Sequence, residues 1–74
     1  MIVHAAVLQD DGTVWHDSCQ CPSTFADWTL IAYGLAYQSA WSMDYAITGE
    51  PPACNEVGEP QMEANTLYIW TTPE

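Results

Sequence analysis

Four side chains with metal-ligating chemistry raise the question of a zinc site. Structural zinc is held by four cysteine thiolates or histidine imidazoles in a tetrahedral arrangement. A Cys-x-Cys pair follows a histidine here, and a third cysteine lies in a distant loop. This spacing departs from two repeated Cys-x2-Cys pairs, and a thiol also serves as a small buried apolar group. We therefore predict free structural thiols and no metal or cofactor, with zinc as the alternative, whose ligands would be His16, Cys19, Cys21 and Cys54.

The same residue types also allow a nucleophilic pair. A thiol beside an imidazole performs acyl transfer, and here Cys19 or Cys21 would pair with His16 or His4. The strongly negative chain opposes this, because surrounding negative charge disfavours the charged thiolate. Neighbouring positions in a hairpin and its loop also rarely enclose a substrate pocket. We therefore expect no catalytic residue and no enzymatic activity.

The charge of the chain is entirely one-sided. It has ten Asp and Glu residues and no Lys or Arg, which gives a formal net charge of −10. Charged residues of both signs make up about a quarter of a typical domain. The carboxylates therefore repel one another with little local compensation, which destabilises the compact state. A positively charged partner is the most direct explanation, and a merely acidic, highly soluble protein is the alternative.

The absence of basic residues also excludes several functions. No lysine is present to form a Schiff base or to cradle a phosphate, and no arginine to clamp an anion. Direct binding to DNA or RNA is disfavoured because no cation displaces counterions from the phosphates, and an anionic membrane would repel the chain. The acids match no calcium-loop pattern. We predict that they contact a basic protein surface, through Asp10, Asp11, Asp17, Glu50, Glu56, Glu59 and Glu63.

One long apolar-periodic run, Thr24 to Ile47, predicts the helix of this chain. Thr24 is a suitable N-cap with Asp27 in the first turn, and Gly49 followed by prolines ends the run. Gly34 and Ser39 leave open a break into two shorter helices. One apolar stripe is expected to cover a sheet, and it consists of Phe25, Trp28, Ile31, Ala32 and Leu35.

A second, aromatic stripe is rotated away from the first. Such a stripe is either core or, where the sheet is already covered, a surface for a partner or a second copy of the chain, since Tyr and Trp are favoured at interfaces. A homodimer through this helix face is therefore one interpretation. The stripe consists of Leu30, Tyr33, Tyr37, Trp41 and Tyr45.

Three segments have the character of strands. The apolar run 1–8 predicts a central strand, and the turn after it leads to a return strand over 13–18, with Leu8 opposite Thr13 and Ala6 opposite Trp15. The segment 65–72 has the highest strand propensity, with Leu67 and Ile69 on one face and Tyr68 and Trp70 on the other. Residues 49–64 are expected to be mostly irregular, with room for a short strand or a turn of helix over 61–64.

The elements together predict an α+β protein with residues 1–74 as a single domain. An N-terminal β-hairpin, one long or broken helix and a C-terminal strand would pack the helix on a three-stranded, mainly antiparallel sheet. The sequence has no signal-peptide pattern and no apolar run of bilayer length. Three cysteines, an odd number, fit a reducing compartment, so a cytoplasmic protein is expected.

In size and charge the chain resembles the small acidic DNA-mimic proteins of phages and mobile elements, including several anti-CRISPR proteins. The resemblance is one of composition over the whole chain, so it transfers no site residues. It implies an inhibitor that imitates nucleic acid and blocks the basic DNA- or RNA-binding site of a host complex, such as a CRISPR-Cas effector, in the host cytoplasm. The alternatives are an immunity protein or antitoxin that neutralises a basic toxin, and a small zinc-stapled structural module.

Overall fold

The α+β class is confirmed by a computed structural model, which describes residues 1–37 and 46–74. One helix packs on a mainly antiparallel four-stranded sheet, and a small two-stranded sheet lies apart from it. The strand order in the larger sheet is β2-β1-β6-β3. The elements are β1 (Ile2–Leu8), β2 (Val14–Gln20), α1 (Trp28–Tyr37), β3 (Ala46–Thr48), β4 (Ala53–Cys54), β5 (Pro60–Gln61) and β6 (Thr66–Thr72).

The sheet has one strand more than the sequence predicts. Strand β1 lies in the interior and pairs antiparallel with both β2 and β6, as its apolar composition indicates. The added strand is β3, which runs parallel to β6. Since β3 includes Ala46 and Ile47, the prediction of a helix as far as Ile47 is wrong at that end. Residues 38–45, which include Trp41 and Tyr45 of the aromatic stripe, lie outside the described residues.

The helix also begins later than predicted. Before it, the amide of Phe25 donates to the carbonyl of Pro22 at 3.0 Å, so this segment forms a turn. The first helical residue is Trp28, and Asp27, rather than Thr24, stands immediately before it. Asp is favoured at that position because its carboxylate can accept a hydrogen bond from a free amide of the first helical turn. Phe25 consequently lies outside the helix and is exposed.

Alanines form the contact between helix and sheet. Ala32 and Ala36 are both fully buried, at 0% exposure, in a core shared with strands β1 and β6. Their small side chains let the helix backbone approach the sheet closely. Larger residues of the predicted stripe, such as Ile31 and Leu35, are half-buried at the margins. Tyr33, a member of the second, aromatic stripe, also packs against this core.

The hairpin between β1 and β2 has a register one residue away from the prediction. Gly12 adopts a φ of +87°, its amide donates to the carbonyl of Gln9 at 3.0 Å, and the amide of Gln9 donates to the carbonyl of Thr13 at 2.8 Å. This is a three-residue loop closed by a glycine in the left-handed region, which adds one residue to the expected turn. A slip of one residue moves every side chain of a strand to the other face.

As a result, the two faces of β2 are exchanged relative to the prediction. Val14 lies opposite Leu8 and His16 opposite Ala6. Trp15 and Cys19 therefore pack towards the helix. His16 lies on the other face of the sheet, the same face as His4.

The acidic segment 49–64 is more ordered than predicted. Strands β4 and β5 pair antiparallel around a turn in which Asn55 and Glu59 bond through their backbones at 3.0 Å. The side-chain oxygen of Asn55 accepts from the amides of Val57 and Glu59, each at 3.0 Å. Gly58 has a φ of +84°, which gives this hairpin the same type of turn as the first one. We call residues 49–64 the acidic hairpin.

Candidate functional site

A pocket of about 440 Å³ lies between the acidic hairpin and the sheet face opposite the helix. The side chain hydroxyl of Tyr68 accepts from the amide of Glu63 at 3.0 Å, and an isolated bridge joins Leu8 to Ala64. These two contacts attach the end of the hairpin to the sheet. The lining is almost wholly apolar and consists of Ala6, Val14, His16, Pro51, Pro52, Cys54, Pro60, Met62 and Trp70.

Three aromatic rings stand together at the sheet side of this pocket. The ring centroids of His4 and Trp70 are 5.0 Å apart, those of His4 and His16 5.4 Å, and those of His16 and Trp70 5.9 Å, with nearly parallel planes. These separations lie in the range of favourable aromatic pairs. The strand register brings the rings of His4 and Trp70 together, because the two residues lie directly opposite each other in the β1–β6 pairing. We call these three residues the ring cluster.

Hydrogen bonds fix the central imidazole of the ring cluster. Nδ1 of His4 lies 3.2 Å from Nε2 of His16, and Nε2 of His4 lies 2.8 Å from the hydroxyl of Thr72. Burial, and then the neighbouring charge of His16, lowers the pKa of His4 below its ordinary value of 6.5. The lowered pKa favours the neutral form of His4, which these hydrogen bonds hold in place.

The structure does not bring the four potential zinc ligands together. His16 and Cys54 line the pocket, whereas Cys21 is buried in the core and Cys19 packs against that core on the helix side. Within residues 1–37 and 46–74, which contain all four, no three His, Cys, Asp or Glu side chains form a group that could hold a metal. Alternation along β2 separates them, since residues 16 and 19 point to opposite faces.

The same alternation separates the predicted Cys–His pairs. Cys19 and Cys21 belong to the helix side of the sheet, while His4 and His16 belong to the ring cluster on the other side. Cys54 is the thiol that shares the pocket with His16. Sequence spacing did not indicate this, because the two residues are far apart in the chain.

All seven carboxylates predicted to contact a partner are exposed. Asp11 is partly engaged in its own turn, where it accepts from the amide of Thr13 at 2.9 Å and from the Thr13 hydroxyl at 2.6 Å. These two hydrogen bonds lower the pKa of Asp11, which keeps it ionised. Asp17 accepts from the amide of Ser18 at 2.8 Å and lies on the helix side of the edge strand β2.

The glutamates of the acidic hairpin adjoin the walls of the pocket. Glu50 precedes Pro51, Glu59 precedes Pro60, and Glu63 follows Met62 in the chain, so each acid is the immediate neighbour of a lining residue. The bridge between Leu8 and Ala64 also sets this segment beside the end of β1, from which the turn with Asp10 and Asp11 departs. Glu63 is next to Ala64 in the chain, so this bridge brings one hairpin glutamate near the end of β1, whereas Asp17 lies on the helix side of the sheet.

Sequence reasoning did not identify the pocket. Its lining comes from β1, β2, β6 and the acidic hairpin, and the hairpin was expected to be irregular. One signal was present: the alternation of β6 separated Tyr68 and Trp70 from Leu67 and Ile69, and the structure shows that the helix covers the face with Leu67 and Ile69. Tyr68, on the same face as Trp70, is buried, so another segment of the chain has to pack against this face of the sheet.

No family model, curated protein or solved structure matches this chain. Helix α1, with ten residues, is far shorter than the roughly 20 residues needed to cross a bilayer. Among the described residues, no helix meets the length and hydropathy of a membrane span.

Proposed function

We propose that this protein is an inhibitor that imitates the charge of nucleic acid and occupies the basic DNA- or RNA-binding site of a nucleic-acid-handling complex, such as a CRISPR-Cas effector. The observation that carries the proposal is the net charge of −10 without a single Lys or Arg. A partner rich in lysine and arginine would supply the cations that the chain lacks.

The exposure of the acids supports the proposal. Within the described residues, no charged or polar side chain is buried. The carboxylates of these residues are therefore accessible to a partner. Each one that meets a lysine or arginine can form a charge-assisted hydrogen bond. The negative field would also accelerate the encounter at low salt.

The acidic hairpin is the part of this surface that we assign to the partner. Its turn carries Glu56 and Glu59 on a backbone fixed by four hydrogen bonds around Asn55. A fixed backbone lowers the conformational entropy lost on binding, and that loss is a major cost of association. Val57, which is 76% exposed between these glutamates, adds an apolar contact at the same tip.

Capture from a bacterial lysate, followed by elution with salt, tests the class of partner. We expect a nucleic-acid-binding protein, and we expect DNA or RNA to compete with this chain for the binding site of that protein. A single small basic toxin, encoded beside the gene for this chain, would instead identify it as an immunity protein or antitoxin. Binding that is weak for every basic protein and indifferent to ionic strength would contradict both.

Charge reversal tests the surface. Changing Glu56 and Glu59 to Lys should weaken binding to the captured partner by at least about 100-fold, since breaking close charge pairs costs roughly 2–5 kcal/mol. The matched control is Asp17→Lys with Glu74→Lys, which makes the same change in net charge at exposed positions outside the hairpin. Asp17 was predicted to contact the partner, but it lies on the helix side of the sheet, away from the hairpin, and Glu74 forms an exposed ion pair with the N-terminal ammonium at 3.6 Å. We expect the control to lose mainly association rate. Equal losses in the two variants would mean that the hairpin is not the contact surface.

A further inference from the structure

We propose that the pocket beneath the acidic hairpin receives one arginine side chain of the basic partner. This inference rests on the proposed function and names the group by which the partner would be recognised. A volume of about 440 Å³ falls within the range of ligand-binding pockets, and it accommodates an arginine side chain together with part of the neighbouring backbone.

The charge around the pocket selects a cation. Glu50, Glu59 and Glu63 are exposed, and each is the chain neighbour of a lining residue. Neighbouring α-carbons are about 3.8 Å apart, which is shorter than the Debye length of roughly 8 Å at physiological salt. No Lys or Arg occurs anywhere in the sequence to neutralise them. An anionic ligand would be repelled, and a neutral one would gain nothing from this field.

The chemistry of the lining selects arginine over lysine. Proline and methionine side chains such as Pro52 and Met62 offer apolar walls for the aliphatic stem. Trp70 offers an aromatic wall, and a guanidinium is attracted to Trp by cation–π interaction. Among the described residues the lining contains no carboxylate, so a strongly hydrated lysine ammonium would lose water there without a direct ion pair. A guanidinium is more weakly hydrated and tolerates such walls.

The test compares two short peptides of equal charge, hexa-arginine and hexa-lysine, by calorimetry at physiological salt. We expect hexa-arginine to bind roughly tenfold more tightly, the size of one favourable cation–π contact with some desolvation. Equal affinity for the two peptides would overturn the pocket proposal and would leave the proposed function standing. If neither peptide binds and the lysate yields no basic partner, the proposed function itself fails.

Cys54 provides a way to block the pocket without changing the fold. It is an exposed thiol in the lining, whereas Cys21 is buried. Alkylation with N-ethylmaleimide should reduce the affinity for hexa-arginine to that for hexa-lysine and leave hexa-lysine unchanged. The Cys54→Ala variant, treated in the same way, is the control for reaction elsewhere. An arginine preference that survives alkylation of the wild type would overturn the assignment to this pocket.

A second variant separates the aromatic wall from the pocket volume. Trp70→Leu keeps an apolar side chain but removes the π system, so the preference for arginine should fall towards unity. The circular dichroism spectrum establishes that the variant is folded. Retention of the full preference by a folded variant would contradict a role for Trp70, and should the variant not fold, the alkylation experiment decides the proposal.

Discussion

His4 shows how a single residue responds to both strand pairings. It lies opposite Ser18 in one pairing and opposite Trp70 in the other, and it hydrogen-bonds to Thr72 on β6. Burial is the larger cause of its lowered pKa, and the charge of His16 is the smaller. Protonation of His4 is therefore disfavoured in the folded state relative to the unfolded chain.

This difference predicts a pH effect that NMR can measure. The imidazole proton resonances of His4 should titrate with a pKa below 6.5. As the pH falls through 6.5, the unfolded chain takes up this proton first, so the contribution of His4 to stability is lost on acidification. The variant His4→Gln should lack that contribution. In His16→Gln the pKa of His4 should rise and still remain below its ordinary value, because burial persists. A pKa of His4 above 6.5 in the wild type would contradict the burial argument.

At the scale of elements, two hairpins use the same turn. Each has a glycine with positive φ, Gly12 in the first and Gly58 in the second. Only glycine adopts this conformation without steric cost. The first turn fixes the register that puts His16 beside His4. The second turn reverses the chain between β4 and β5, both of which contribute residues to the pocket lining.

Two glycine substitutions should therefore have opposite effects. Gly58→Ala should destabilise the protein by roughly 1–2 kcal/mol, because a β-carbon is disfavoured at positive φ. Gly34→Ala should stabilise it by about 0.5–1 kcal/mol, since alanine is the better helix former and, within the described part of the chain, no atom outside the adjacent helix backbone lies within 4 Å of the added carbon. Urea unfolding of both variants measures this. A neutral Gly58→Ala would mean that the turn adapts, and a destabilised Gly34→Ala would contradict an open helix surface at that position.

At the scale of the whole molecule, uncompensated charge dominates. Ten carboxylic acids on 74 residues without Lys or Arg repel one another in the compact state more than in the expanded one. The apolar core formed by Val3, Leu67, Ile69 and the helix alanines has to offset this repulsion. A bound basic partner would remove it, so we expect binding to stabilise the fold.

Salt should accordingly stabilise the free protein. Between 0.01 M and 1 M sodium chloride the Debye length falls from roughly 30 Å to roughly 3 Å, and the free energy of unfolding should rise over this interval. Urea titrations at several salt concentrations measure the slope. The variant Glu56→Gln with Glu59→Gln should show a smaller slope, because two charges are removed. A wild-type stability that decreases with salt would contradict dominance by repulsion.

The properties that depend on near neighbours in the chain were predictable from the residues alone. A continuous apolar run identified the interior strand β1, alternation identified the two faces of β6, and helical spacing identified the stretch that contains α1 (Trp28–Tyr37). Composition alone established the one-sided charge. These features were predictable because side-chain periodicity is a local property of strands and helices.

Contacts between segments that are distant in the chain could not be predicted from local sequence patterns. The β1–β2 register differed from the prediction by one residue because the turn closed by a glycine has one residue more than expected. The observed register puts His16 on the same face of the sheet as His4, in the ring cluster. Strand β3 and the acidic hairpin lack long periodic runs, and they are held by pairing with distant segments. The pocket exists only because these distant segments meet, and contacts of that kind are not encoded in any local pattern.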